Sequence, residues 1–231
     1  AQLEQNSDVG PYVKTEASIA TKVDAEPLGL LVEESRTNLL TYSEDFTGYS
    51  KTSASVTSNQ ITAPDETQTA DLLTCTSTGS FNGRVNFIAQ DQIAVISVFA
   101  KKGSTDWLHI TIGAPGGIAR RCWYNLATGQ IGGTRTASGG GGTLLDQSMV
   151  DQGNGWYRCI LAADCGSGNT WIGVSLFQPS DNDTDTNATV GNSIYLWGAQ
   201  VEVSSFPTSY IRTSGSTVTR SADVTSIEGN D

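Results

Sequence analysis

The sequence is short of most of what catalysis, membranes and nucleic acids require. Its 231 residues include one histidine, His109, and one methionine, Met149, and 13 Lys and Arg stand against 24 Asp and Glu. No Gly-x-Ser-x-Gly elbow accompanies His109, so a hydrolase triad lacks its nucleophile turn. Glu33–Glu34 and Glu44–Asp45 are adjacent carboxylates. Neighbours on a strand point to opposite faces, so neither pair can flank one glycosidic bond at the roughly 5–9 Å that its hydrolysis demands. The chain therefore reads as non-enzymatic. No apolar run approaches the roughly 18 residues of a membrane helix, and no charged-then-apolar leader is present. The absence of an initiator Met leads us to expect a piece of a longer chain. A net charge of −11 opposes a phosphate backbone as partner; a neutral or cationic ligand, or a divalent cation, is easier to accommodate. The glycine run "SGGGGT" lacks the Gly-Lys-Ser/Thr of a phosphate cradle and reads as a loop. Cysteines number four, Cys75, Cys122, Cys159 and Cys165. A core of this size needs no staples, so free thiols are expected, with Cys159–Cys165 the pair that could close a hairpin.

Helical periodicity is nearly absent. What remains is Thr, Ser and Gly with short alternating apolar stretches between turn residues, the pattern of an all-β sandwich or barrel. In "AVISVFAKK" Ile96, Val98 and Ala100 face inward, which leaves Phe99 and Lys101 outward. In "WIGVSLF" Ile172, Val174 and Leu176 face inward, with Trp171 and Phe177 outward. "GRVNF" sets Arg84 and Asn86 opposite Val85 and Phe87. Taking Cys122, Tyr124 and Leu126 inward turns Arg121, Trp123 and Asn125 outward. "SIYLWGAQVEV", "GWYRCILAA" and "WLHITIG" supply further strands, and Trp156 and Trp197 read as core or edge. Residues 28–213 form the expected folded unit, with 214–231 a C-terminal linker.

The opening of the chain repeats its ending. Laid without gaps on residues 199–220, it matches at Ala1/Ala199, Gln2/Gln200, Glu4/Glu202, Ser7/Ser205, Tyr12/Tyr210, Thr15/Thr213, Ser18/Ser216 and Thr21/Thr219. Residues 1–27 are accordingly expected to be the exit segment of a preceding module or a linker, in a parent built of tandem modules.

Five stretches, "PLGLLVEESRTNLLTYSEDF" (27–46), "APDETQTADLL" (63–73), "ISVFAKKGSTDWLHI" (96–110), "NGWYRCIL" (154–161) and "YLWGAQVEVSSFPTSYIRTSGSTVTRSADV" (195–224), resemble a domain recurring in tail-fibre, head-spike and other virion-surface proteins of bacteriophages. The chain departs from it with Tyr49 where many relatives carry Trp, and with the inserted "PSDNDTDTNATVG". The resemblance implies a jelly-roll β-sandwich of two antiparallel sheets, similar to carbohydrate-binding modules. It also implies an extracellular or virion-surface location and contact with bacterial surface glycans.

Sugars stack a C–H face on aromatic rings and hydrogen-bond through their hydroxyls, so a glycan site interleaves exposed aromatics with polar groups. The outward set gives a platform of Phe99, Trp123, Trp171 and Phe177, ringed by Arg84, Asn86, Lys101, Arg121 and Asn125. The opposing reading makes these aromatics core filling or a subunit interface, as in a trimeric fibre. In "SDNDTDTN" Asp181, Asp183, Asp185 and Asn187 stand two apart. They suit a solvated acidic loop or, as the alternative, a structural Ca2+; the Gly and distal Glu of an EF-hand are missing. No cofactor is required. The expected function is non-catalytic recognition of a polysaccharide. Its alternatives are an accessory module of a polysaccharide-degrading enzyme and an architectural fibre segment without ligand.

Overall fold

A computed structural model describes residues 31–80, 83–88, 93–114, 118–136, 142–166, 171–176 and 187–224. The chain divides into the compact unit Glu34–Asp223 and a second unit of Ala1–Glu33 with Val224–Asp231. Nearly all of the second lies outside the described residues, as does the repeated opening.

In the larger unit the strands run in order β1 (Arg36–Asn38), β2 (Ser50–Thr52), β3 (Ala54–Ile61), β4 (Ala70–Cys75), β5 (Gly79–Ser80), β6 (Arg84–Ile88), β7 (Ile93–Lys102) and β8 (Trp107–Ala114). They continue with β9 (Ile118–Asn125), β10 (Gln130–Thr136), β11 (Thr143–Asp151), β12 (Trp156–Asp164), β13 (Trp171–Ser175), β14 (Asn187–Ala188), β15 (Ser193–Glu202) and β16 (Val218–Arg220). No helix occurs among the described residues. Two six-stranded antiparallel sheets form, β10-β9-β8-β13-β6-β2 and β11-β12-β7-β15-β4-β3. Setting the flanking strands aside leaves β6-β13-β8-β9 against β4-β15-β7-β12. In that arrangement successive strands mostly cross between sheets, as in a jelly roll.

Alternation builds the core. Ile96, Val98 and Ala100 of β7 and Cys159 and Leu161 of β12 come from one sheet. Leu108, Ile110 and Ile112 of β8, Cys122 and Tyr124 of β9, Ile172 and Val174 of β13, and Val85 and Phe87 of β6 come from the other. The Tyr124 hydroxyl crosses the core to donate to the Ile160 carbonyl of the opposite sheet. Burial pushes that phenol well above its ordinary value. On β15 the phase slips. Leu196 and Ala199 both face the core because a bulge falls between Trp197 and Gln200, at Gly198 with φ +57°. All four cysteines are free and buried.

The segment after β15 folds back over the outer face of its own sheet. Asn38 lies at the centre, fully buried. Its Nδ2 donates to Ala199 O (3.3 Å) and Ile211 O (2.8 Å), and its Oδ1 accepts from Leu40 N and Val201 N (both 3.1 Å). Gln200 Oε1 accepts from Ile211 N (2.6 Å), and buried Glu202 accepts from Thr208 N (3.0 Å) and Oγ1 (2.6 Å). The Tyr210 hydroxyl meets Ser43 Oγ at 2.7 Å and Glu44 Oε1 at 3.1 Å. Beyond this strap, β16 pairs antiparallel with β1, so residues 218–220, inside the stretch read as a C-terminal linker, are part of the unit.

Candidate functional site

The outer face of the β6-β13-β8-β9 sheet carries five of the expected site residues, Arg84, Asn86, Arg121, Trp123 and Trp171. Cross-strand register sets them in two rows. One runs Arg84, Ser175, His109, Trp123; the next runs Asn86, Gly173, Thr111, Arg121. Trp171 heads a third row beside Gly113. The small residues are required there. A Cβ on Gly113 would fall 2.5 Å from Trp171 Cε2, and one on Gly173 would fall 2.7 Å from Arg84 Cδ. The indole of Trp171 therefore lies on Gly113 and the Arg84 stem on Gly173, with Arg84 Cζ 5.2 Å from the Trp171 ring centroid. The result is a buried floor of Gly173, Thr111 and Ser175 under half-buried Arg84, Asn86, Arg121 and Trp171.

The face is cationic on an acidic protein. Burial first, then the charge of nearby Arg121, holds Arg84 below the ordinary arginine value. Burial also holds His109 well below the imidazole range, with Arg121 and Arg84 acting in the same direction, so it stays neutral at pH 7. Its Nε2 lies 3.3 Å from Thr111 Oγ1, and its ring packs on Trp123 with centroids 4.8 Å apart. Asn86 Nδ2 donates to Ser50 O (3.4 Å) and Thr52 Oγ1 (3.3 Å) of β2. Beside it opens a cavity of about 410 Å³ lined by Leu39, Leu40, Tyr49, Ser50 and Asn86.

The single aromatic platform expected from the sequence does not form. Phe99 and Lys101 lie on β7, in the other sheet. Phe99 does face away from the core, but Trp197 and Tyr210 pack edge-on against it at 5.2 Å and 5.9 Å, leaving it 6% exposed. Arg158 lies over the same ring while donating to Ser97 Oγ and to Thr208 O of the strap. Lys101 Nζ donates to Asn154 O in the β11–β12 turn. Trp123 shares the cationic face yet is fully buried. Asn125 caps the β9–β10 turn, its Oδ1 accepting from Ala127 N and Thr128 N. Phe177 and the acidic residues Asp181, Asp183 and Asp185 lie outside the described residues. Among the described residues no group of three or more His, Cys, Asp or Glu is placed to hold a metal ion. Glu44 and Asp45 serve local structure: Glu44 pairs with Arg212 at 2.9 Å, and Asp45 accepts from Thr47.

Gly173, Thr111 and Ser175, which form the floor, and Gly113 against Trp171 were not named as site residues from the sequence. Carrying the alternation through "WLHITIG" would have set His109, Thr111 and Gly113 on the face of Trp171. No family model matches the chain, and no curated protein matches it in sequence.

Proposed function

We propose that Glu34–Asp223 is a non-catalytic glycan-recognition module of a phage surface protein, binding polysaccharide across the outer face of the β6-β13-β8-β9 sheet. The virion setting rests on the five resembling stretches. The ligand rests on one observation: Trp171, packed on Gly113, adjoins the Arg84 guanidinium and the Asn86 amide on one sheet face. A sugar ring needs an apolar surface for its C–H face and convergent donors for its hydroxyls, and this face provides both. Single-site affinity is weak on so shallow a surface, and several modules on one particle would multiply it.

The test is binding of the purified chain to a panel of plant, algal and bacterial polysaccharides, with Trp171→Ala alongside. Wild-type binding that falls about tenfold in the variant, a loss of ~1.4 kcal/mol, is the expected result. A folded chain that binds nothing on the panel sinks the proposal and leaves the architectural fibre segment, which a trimer by solution mass would then support.

A further inference from the structure

Resting on the glycan reading above, we infer that the sugar recognised is acidic, its carboxylate held by the Arg84 guanidinium with Arg121 alongside. The guanidinium is already aimed. Its stem lies on Gly173 and its Cζ lies over the Trp171 ring, and a guanidinium held by a cation–π contact keeps its N–H donors for an acceptor. Among the described residues the Arg84 side chain makes no ion pair and no hydrogen bond, and its Nε is buried without an acceptor. A half-buried guanidinium without a counter-charge is costly, and a carboxylate at its terminal nitrogens supplies the charge-assisted partner that it lacks.

Arg121 adds a second positive charge across the Gly173–Thr111 floor, and an anion between the two relieves their repulsion. Neutral sugars need none of this, since amides and hydroxyls satisfy their hydroxyls. The nearness of guanidinium and indole, 5.2 Å, favours a carboxylate carried directly on a ring carbon, as in a uronic sugar, over a charge on a longer arm. Long-range attraction does not explain such binding, because the chain carries −11 and repels a polyanion at a distance. The recognition is local, one carboxylate at a time.

The experiment titrates the full chain with polygalacturonate, alginate and hyaluronan, each beside its methyl-esterified form, and with dextran sulfate. At least one acid polymer should bind ten or more times tighter than its ester. Arg84→Gln should close that gap, and Arg84→Lys should recover only part of it, because charge returns without the fork. A urea midpoint for each variant separates lost contacts from lost folding. An ester that binds as tightly as its acid, or an Arg84→Gln variant that still distinguishes them, overturns the acidic assignment and leaves the glycan reading standing. Dextran sulfate binding as tightly as the carboxylated polymers overturns the choice of carboxylate. Failure of every polysaccharide, including the neutral ones of the earlier panel, overturns both.

Discussion

Replacing Asn38 by alanine tests what holds the strap to the sandwich. The side chain is fully buried and makes four hydrogen bonds to the backbone of three separated segments, near Leu40, in β15 and at Ile211. Two amides face one of its atoms and two carbonyls face the other, which fixes the amide orientation without appeal to rotamer preference. Truncation leaves the amides of Leu40 and Val201 buried without an acceptor, and each such group costs about 1–3 kcal/mol. The carbonyls of Ala199 and Ile211 lose a donor as well. We expect Asn38→Ala to destabilise the unit by about 3–5 kcal/mol. In equilibrium urea unfolding followed by tryptophan fluorescence, that is a midpoint loss of roughly 2 M at an m value near 2 kcal/mol/M. Asn38→Asp sharpens the test. It keeps the acceptor for both amides but turns a carboxylate oxygen toward two carbonyl oxygens, so at pH 7 it should cost at least as much as alanine despite its near-identical shape. A loss under about 1 kcal/mol for Asn38→Ala, or an Asp variant close to wild type, would refute the account.

Two further outcomes follow from burial. The four cysteines should resist an aromatic disulfide reagent at pH 8 in the native protein and react together in denaturant; burial pushes Cys122 up to about 12 and raises Cys159 and Cys165 as well. A thiol that titrates rapidly in the native state would contradict that burial. His109, neutral when folded, accepts a proton at an ordinary value only when unfolded, so its contribution is whole above pH 6.5 and shrinks as pH falls. Wild type should therefore lose on the order of 1 kcal/mol more than His109→Gln between pH 7 and pH 5.5, and equal slopes would remove His109 as the cause.

The inward and outward faces were legible because strand side chains alternate with period two whatever the strand pairs with. Ile96 and Val98, Ile172 and Val174, and Cys122 and Tyr124 all occupy the faces assigned to them. Period two does not say which sheet a strand joins. β7 pairs with β12 and β15, far away in sequence, so Phe99 was grouped with Trp171 although the two belong to opposite sheets. The cover over Phe99 was hidden for a related reason. Residues 203–213 have no periodicity to read, and their anchors look like ordinary surface polar residues. Only the repetition hinted otherwise. The matched pairs Gln2/Gln200, Glu4/Glu202, Tyr12/Tyr210 and Thr15/Thr213 include the residues that fasten the strap in this unit.

That division bears on what the resemblance can say about ligands. Its first and last stretches meet in space, through Asn38, Ser43 and Glu44 on one side and Ala199, Tyr210, Ile211 and Arg212 on the other. They specify how the sandwich is closed. Arg84, Asn86, Arg121 and Trp171 all fall in the stretches between, outside the five that carry the resemblance. Of the cationic face, only residues 107–110 of β8 lie in a resembling stretch, and there the buried His109 serves packing. A chain could therefore keep every closing contact while exchanging Arg84 for a neutral residue, and would keep the fold while losing the proposed affinity for acid. Scaffold and the proposed specificity are written in different segments, so the proposed setting rests on the closing stretches and the proposed ligand on Arg84 and Trp171.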